Sequence, residues 1–189
     1  MKPAVSAGPH RPAKVLPFGR KVGRLGIVGH RALDTDAAEF VSVASRTLLT
    51  DAIATSRDVV AVSALAEGAD TLFAEAALLM RVPLETVRPF AGYADDFATA
   101  PDRRRYKGLA ASARREERLE FAVRSADAYQ AAMQWVVQNC DVLVAAWDGV
   151  PSGRKGGTAQ AVRYARLVGR PVVHLDVERR LVEGSSGAW

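Results

Sequence analysis

The feature that most constrains the fold is a repeated alternation of short apolar runs with longer segments of helical period. The last such unit is the clearest, because Asp141–Ala146 (DVLVAA) is continuously apolar and a helical pattern runs from Thr158 to Val168. Strands of this kind are buried on both faces, as in parallel sheets. Strand–helix alternation then places helices on both faces of the sheet. We therefore predict an α/β fold with one parallel sheet in a single domain.

The same patterns predict the other elements. Strands are expected at Arg24–Gly29, Asp58–Leu65, Pro83–Pro89 and Pro171–Leu175, and helices at Asp36–Thr55, Ala69–Arg81 and Ala128–Cys140. Asp36 precedes Glu39 by three residues, which is the spacing of a capping box, so Asp36 is predicted to cap the helix. Phe90–Arg105 contains Gly92 and Pro101 and is predicted to be a long loop, whereas the charged segment from Lys107 to Ala126 is predicted to be helical.

Composition places the chain among ordinary globular proteins. It has 189 residues, of which 49% are hydrophobic and 25% charged. No run of eighteen apolar residues predicts a membrane span, and the N-terminus lacks the apolar core of a secretory signal. The single cysteine, Cys140, cannot form an intramolecular disulfide. These features favour a cytoplasmic protein without a membrane partner.

The net charge of +5 is concentrated at one end of the chain. Residues 1–24 carry six basic and no acidic residues, which leaves 20 basic against 21 acidic residues in the remainder. We expect residues 1–23 to be a disordered, Pro-rich basic tail, residues 24–178 to form the domain, and residues 179–189 to be a flexible end. Because the body is nearly neutral, we do not expect nucleic acid to be a partner.

One segment in the middle of the chain departs from this neutrality because it carries an excess of positive charge. Arg103–Ala126 carries eight basic residues against three glutamates. It could form a lid over a ligand, an oligomer contact, or merely a solvated helix face. The basic cluster Arg103–Lys107 and the tail are the places where a nucleic acid could bind.

Three predicted strands end in unusual sequences. These are Gly29-His30-Arg31, Ala66-Glu67-Gly68-Ala69-Asp70, and Ser152–Thr158 (SGRKGGT). In a parallel α/β sheet, ligands bind beyond the carboxyl ends of the strands, where the N–H groups of helix N-termini attract anions. We therefore predict that the three segments converge on one cleft, with phosphate at Gly156–Thr158.

Each segment also has a purely structural interpretation. His30 could be an ordinary packed histidine, Arg31 could pair with a nearby carboxylate, and Glu67 and Asp70 could only cap a helix. Trp147 and Asp148 directly follow the Asp141–Ala146 strand. They could contact a ligand, or they could cover the sheet edge and form an Asp-Gly turn.

Together, Gly29–Arg31, Ala66–Asp70, Asp141–Gly149 and Gly156–Thr158 resemble, in order and spacing, the SLOG superfamily. This group includes the lonely-guy-type phosphoribohydrolases, formerly described as lysine decarboxylases, and DNA-processing protein A. The resemblance covers about residues 24–176. It implies a Rossmann-like fold, a nucleotide-type ligand, and a bacterial homo-oligomer related to sensors of nucleotide-derived ligands. The ligand-binding residues expected from the segments and the resemblance are Gly29, His30, Arg31, Glu67, Gly68, Asp70, Trp147, Asp148, Gly156, Gly157, Thr158 and Gln160.

One departure from the family bears on catalysis. The phosphoribohydrolases carry a glutamate where this chain has Gln160, and an amide cannot stabilise cationic charge as a carboxylate does. The primary hypothesis is therefore binding or sensing of a nucleotide-derived ligand. The alternative is hydrolysis of the N-glycosidic bond of a nucleoside monophosphate, with Glu67 or Asp70 replacing the missing glutamate and Glu67 as the predicted catalytic residue. Single-stranded DNA binding is a third hypothesis. No motif calls for a metal or a cofactor.

Overall fold

The structure is a computed structural model that describes residues 22–151 and 155–185. Within these residues a seven-stranded sheet has the order β4-β3-β2-β1-β5-β6-β7. The strands are β1 (Arg24–Gly29), β2 (Val60–Ser63), β3 (Leu84–Arg88), β4 (Arg115–Arg118), β5 (Val142–Trp147), β6 (Val172–Asp176) and β7 (Leu181–Ser185). Every neighbouring pair is parallel except β6 and β7, which are antiparallel.

Five α-helices within the same residues connect the strands. They are α1 (Thr35–Thr55), α2 (Ala69–Leu79), α3 (Ala100–Ala111), α4 (Ala126–Gln138) and α5 (Thr158–Leu167), and a short 3₁₀ helix spans Tyr93–Asp96. No helix among the described residues is both long and apolar enough to cross a membrane. The predicted α/β architecture, a Rossmann-like parallel sheet in a single domain, is confirmed.

Strand β5 shows why both faces of the sheet are covered. Val142, Val144 and Ala146 lie in one core cluster with residues of α1 and α2. Leu143 and Ala145 lie in a second cluster with residues of α4 and α5. Because successive side chains of a strand point to opposite faces, a continuously apolar strand requires a helical layer on each side.

The predicted mid-chain elements are only partly correct: residues 107–111 are helical as predicted, within α3, but the rest differs. The segment predicted as a loop contains the start of α3, where Thr99 accepts a hydrogen bond from the Asp102 N–H and Pro101 occupies the first turn. Proline favours this position because its missing N–H would have no helical partner there. The segment predicted as a charged helix instead contains β4, an edge strand on which charge is tolerated and discourages further pairing.

Two further expectations are corrected. The cap of α1 is Asp34, whose Oδ1 accepts the Ala37 N–H at 2.7 Å, and Asp36 lies in the first turn instead. Residues 181–185 form β7 along β6, although the sequence predicts a flexible end there. The other helices and strands lie within a few residues of their predicted bounds. The predicted tail lies outside the described residues, apart from Val22 and Gly23.

Candidate ligand-binding site

The order of the strands around β1 predicts the position of a ligand-binding crevice. β1 lies between β2 and β5, so the connections on its two sides leave in opposite directions. In open parallel sheets a crevice forms at the carboxyl ends of strands at such a switch point. A cavity of about 590 Å³ occupies this position. This volume is within the range of about 300–1,000 Å³ that is typical of small-molecule sites.

The three predicted strand ends do converge on this cavity. Eight of the predicted site residues line it: Gly29, His30, Arg31, Asp70, Trp147, Gly156, Gly157 and Thr158. Four others do not line it: Glu67, Gly68, Asp148 and Gln160. Residues 152–154, which belong to the predicted third segment, lie outside the described residues.

Two glycines are required by packing between the first two strand ends. A Cβ on Gly68 would lie 2.3 Å from the His30 carbonyl oxygen, and Gly68 has a φ of +84°. A Cβ on Gly29 would lie 2.5 Å from the Ala69 Cβ. The Ala69 N–H donates to the His30 carbonyl at 3.1 Å. These glycines therefore bring the turn after β1 against the start of α2.

The third strand end brings first-turn amides to the start of α5. Gly156 packs closely on α4, and its N–H donates to Oε1 of Gln160 at 2.6 Å. The N–H groups of Gly157, Thr158 and Ala159 have no acceptor among the described residues. All three residues line the cavity. Such first-turn amides, together with the helix dipole, favour an anion.

An arginine pair faces the same cavity. Arg31 and Arg124 line it, and both guanidinium groups lie near the ring of Tyr129, at 5.1 and 5.9 Å from its centroid. Both contact Asp96, which is buried, so the structural interpretation of Arg31 as an ion-paired residue holds. Sequence reasoning missed Arg124, Tyr129 and Asp96. They come from segments without a local motif, and only the fold brings them together.

Asp70 is the one carboxylic acid among the described residues that line the cavity. It is 4% exposed, and its Oδ2 accepts a hydrogen bond from the Ser63 hydroxyl at 3.3 Å. Burial raises the pKa of Asp70 to about 7, against the opposing effects of the Ala66 backbone, Ser63 and Arg31. A carboxyl group that titrates near neutrality at a cavity wall can exchange a proton with a ligand.

His30 and Asp148 interact with each other. Nε2 of His30 lies 3.2 Å from Oδ1 of Asp148. Asp148 also accepts the Val150 N–H at 2.9 Å, and Gly149 has a φ of +80°, so these residues form the Asp-Gly turn. The Val150 N–H, with a contribution from His30, lowers the pKa of Asp148. Trp147 is half-buried and lines the cavity. Its ring centroid lies 6.0 Å from that of His174.

Glu67, the predicted catalytic carboxylate, lies outside the cavity lining. Gln160 is turned toward its own loop, since its Oε1 accepts the Gly156 N–H. No cluster of three metal-ligating side chains is found in residues 22–151 and 155–185. The carboxyl group that the fold places at the cavity is that of Asp70.

No protein-family model matches the chain, and no curated protein matches it by sequence. Solved structures do. DNA processing protein A from Streptococcus pneumoniae has a TM-score of 0.59 at 20% identity, over 80% of this chain and 50% of that chain. Its counterpart from Helicobacter pylori has a TM-score of 0.60 at 18% identity, over 80% and 64%.

A third match is a cofactor-binding protein. The molybdenum cofactor binding protein from the phototrophic bacterium Rippkaea orientalis has a TM-score of 0.51 at 13% identity, over 83% of this chain and 77% of that chain. All three structures have SLOG-type folds. This chain has the SLOG-type fold. At these identities the likeness establishes the fold alone, and the chain spans only 50% and 64% of the two DNA-processing proteins.

The SLOG-type fold does not by itself select a ligand class. The Helicobacter pylori protein is described as binding single-stranded DNA, and the Rippkaea orientalis protein as binding the molybdenum cofactor. The expectation that nucleic acid is not a partner therefore has no support from these comparisons.

Proposed function

We propose that this protein binds a small anionic ligand of the nucleotide type in the cavity at the carboxyl edge of the sheet. The observation that carries the proposal is that Arg31 and Gly157–Ala159 line one cavity, and that the amides of Gly157–Ala159 have no acceptor among the described residues. Backbone N–H groups and an arginine fork are complementary to phosphate oxygens.

The cavity also has apolar lining that suits a ring. Its apolar side chains include those of Val28, Met133, Val136 and Trp147. A site that combines an apolar wall with a few polar groups fixes the orientation of a ligand that has one end of each kind. A base and a phosphate joined by a sugar meet this description. Cys140 is buried as a free thiol, which fits our proposal of a cytoplasmic location.

We expect calorimetry to detect binding of a nucleotide and Arg31→Gln to weaken it by about 10- to 150-fold. This range corresponds to the roughly 1.5–3 kcal/mol of a hydrogen bond to a charged group. The panel should contain orthophosphate, AMP, ADP, a cyclic mononucleotide and a short single-stranded oligodeoxythymidine.

The control is Arg46→Gln, because Arg46 is exposed on α1 and does not line the cavity. Its binding should equal that of the wild type. Absence of binding by every compound at millimolar concentration would contradict the proposal. Tighter binding of the oligonucleotide than of any mononucleotide would favour single-stranded DNA binding, which the similarity to DNA-processing proteins supports as a second candidate.

We expect release of free base from AMP, GMP and CMP to be slow or absent, well below about 1 s⁻¹, the low end of ordinary enzyme turnover. Cleavage of the N-glycosidic bond builds positive charge on the ribose, and neither Gln160 nor Glu67 supplies a carboxylate to the cavity. Base release followed over hours by chromatography would measure it. Turnover at or above that rate would refute a binding-only role. Its loss in Asp70→Asn but not in Glu67→Gln would then assign the reaction to the buried carboxyl.

A further inference from the structure

Asp96 lies beneath the arginine pair without lining the cavity itself. It ends the short 3₁₀ helix between β3 and α3, and its side chain is 3% exposed. Its Oδ2 accepts hydrogen bonds from Nη1 of Arg31 at 2.9 Å and from the Tyr129 hydroxyl at 2.6 Å. Its Oδ1 lies 3.1 Å from Nε of Arg124. Three elements distant in sequence are thereby joined by one carboxylate.

Each arginine contacts both Asp96 and the Tyr129 ring. Arg31 contacts the carboxylate through Nη1 and Arg124 through Nε, and a guanidinium has five N–H donors. Asp96 therefore does not engage all the donors of either group, and both arginines line the cavity.

The charge of Asp96 persists at neutral pH. Burial favours the neutral acid, but the hydrogen bonds from Tyr129 and Arg31 and the charge of Arg124 lower the pKa of Asp96 overall. One carboxylate against two guanidinium groups leaves a net positive cluster. Asp96 therefore neutralises only one of the two positive charges of the arginines that it contacts.

We infer that Asp96 is a positioning residue for anion binding: it holds Arg31 and Arg124 as a preorganised pair at the cavity. The inference rests on the proposed function, since it assigns the pair to an anionic ligand. It also makes a prediction opposite to simple electrostatics. Removing a negative charge beside an anion site should strengthen anion binding, whereas losing the orienting group should weaken it.

The test is Asp96→Asn, with orthophosphate and AMP as probes in calorimetry. An asparagine has one acceptor oxygen and one NH₂ donor group, so it cannot accept hydrogen bonds along both edges as the carboxylate does. We expect the affinity to fall about 10-fold, comparable with the loss of partners that orient metal ligands. The matched control is Asp95→Asn, the same charge change at an exposed neighbour in the same 3₁₀ helix. Its affinity should be unchanged or slightly higher.

A readout without ligand separates this inference from the proposed function. The Nη1 protons of Arg31, which donate to Oδ2 of Asp96, should exchange with solvent at least several-fold faster in Asp96→Asn than in the wild type, with the signals assigned through Arg31→Lys. If Asp96→Asn does not fold, Tyr129→Phe removes one donor to Asp96 and keeps the ring, and should give a smaller change in both measurements.

The outcomes are distinct. If the wild type binds neither probe, the proposed function fails, and the exchange rate alone decides whether Asp96 holds Arg31 in place. If Asp96→Asn binds the probes as tightly as Asp95→Asn does, or leaves the exchange of the Arg31 Nη1 protons unchanged, Asp96 is not a positioning residue.

Discussion

Replacing Gly68 with alanine should destabilise the folded protein by about 3 kcal/mol or more. Gly68 has a φ of +84° and a ψ of −122°, a conformation that costs a residue with a Cβ about 1–3 kcal/mol. The added Cβ would also lie 2.3 Å from the His30 carbonyl oxygen and 2.4 Å from that of Arg31. Backbone atoms cannot move aside as a flexible side chain can, so the overlap adds roughly 1–3 kcal/mol.

Urea unfolding followed by circular dichroism would measure this loss, and Gly108→Ala is the matched control. Gly108 lies in α3 with open space around its Cβ position. Alanine there should stabilise the protein by about 0.5–1 kcal/mol, because glycine is a poor helix former. Equal stability of Gly68→Ala and the wild type would show that α2 does not begin against the turn after β1 as described.

The stability of the protein should fall by about 4 kcal/mol between about pH 4 and pH 7 through Asp70 alone. Its pKa is raised by burial to about 7, from 3.8 for an unperturbed aspartate. In this window the folded state keeps the proton and the unfolded state releases it. Unfolding therefore becomes more favourable as the pH rises, by about 1.4 kcal/mol per unit. Below about pH 4 both states are protonated and the effect vanishes.

Urea unfolding of the wild type and Asp70→Asn across pH 4–8 isolates this contribution. Asparagine is nearly isosteric and cannot ionise, so the stability of the variant relative to the wild type should increase steadily up to about pH 7. Asp95→Asn, at an exposed position, should run parallel to the wild type. A constant difference between Asp70→Asn and the wild type over this range would mean that Asp70 is ionised in the folded protein throughout.

The prediction of the sheet from the sequence succeeded where burial alone determines the pattern. β5 is continuously apolar because it has a helical layer on each face, and its position was predicted to within a residue at each end. β4 is the opposite case. Its sequence, Arg115–Arg118, is charged on both faces. An edge strand with exposed side chains leaves no apolar period, so only its pairing with β3 identifies it as a strand.

The candidate site likewise has residues that could be predicted from the sequence and residues that could not. Gly29–Arg31 and Gly156–Thr158 could be predicted to meet because the carboxyl ends of parallel strands share one edge. The sequence could not show that Asp70 rather than Glu67 faces the cavity. That choice depends on the helical phase of α2 and on the positive φ of Gly68.

The α/β class, the positions of most strands and helices, and the edge of the sheet at which the candidate site lies can be predicted from the sequence. These follow from local periodicity and from residues whose backbone requirements are local. The contacts of Asp96 with Arg31 and Arg124, and the burial that shifts the pKa of Asp70, emerge in the tertiary structure. Such contacts join residues as far apart in the chain as Arg31 and Asp96, which are separated by 65 positions, and no local pattern encodes them.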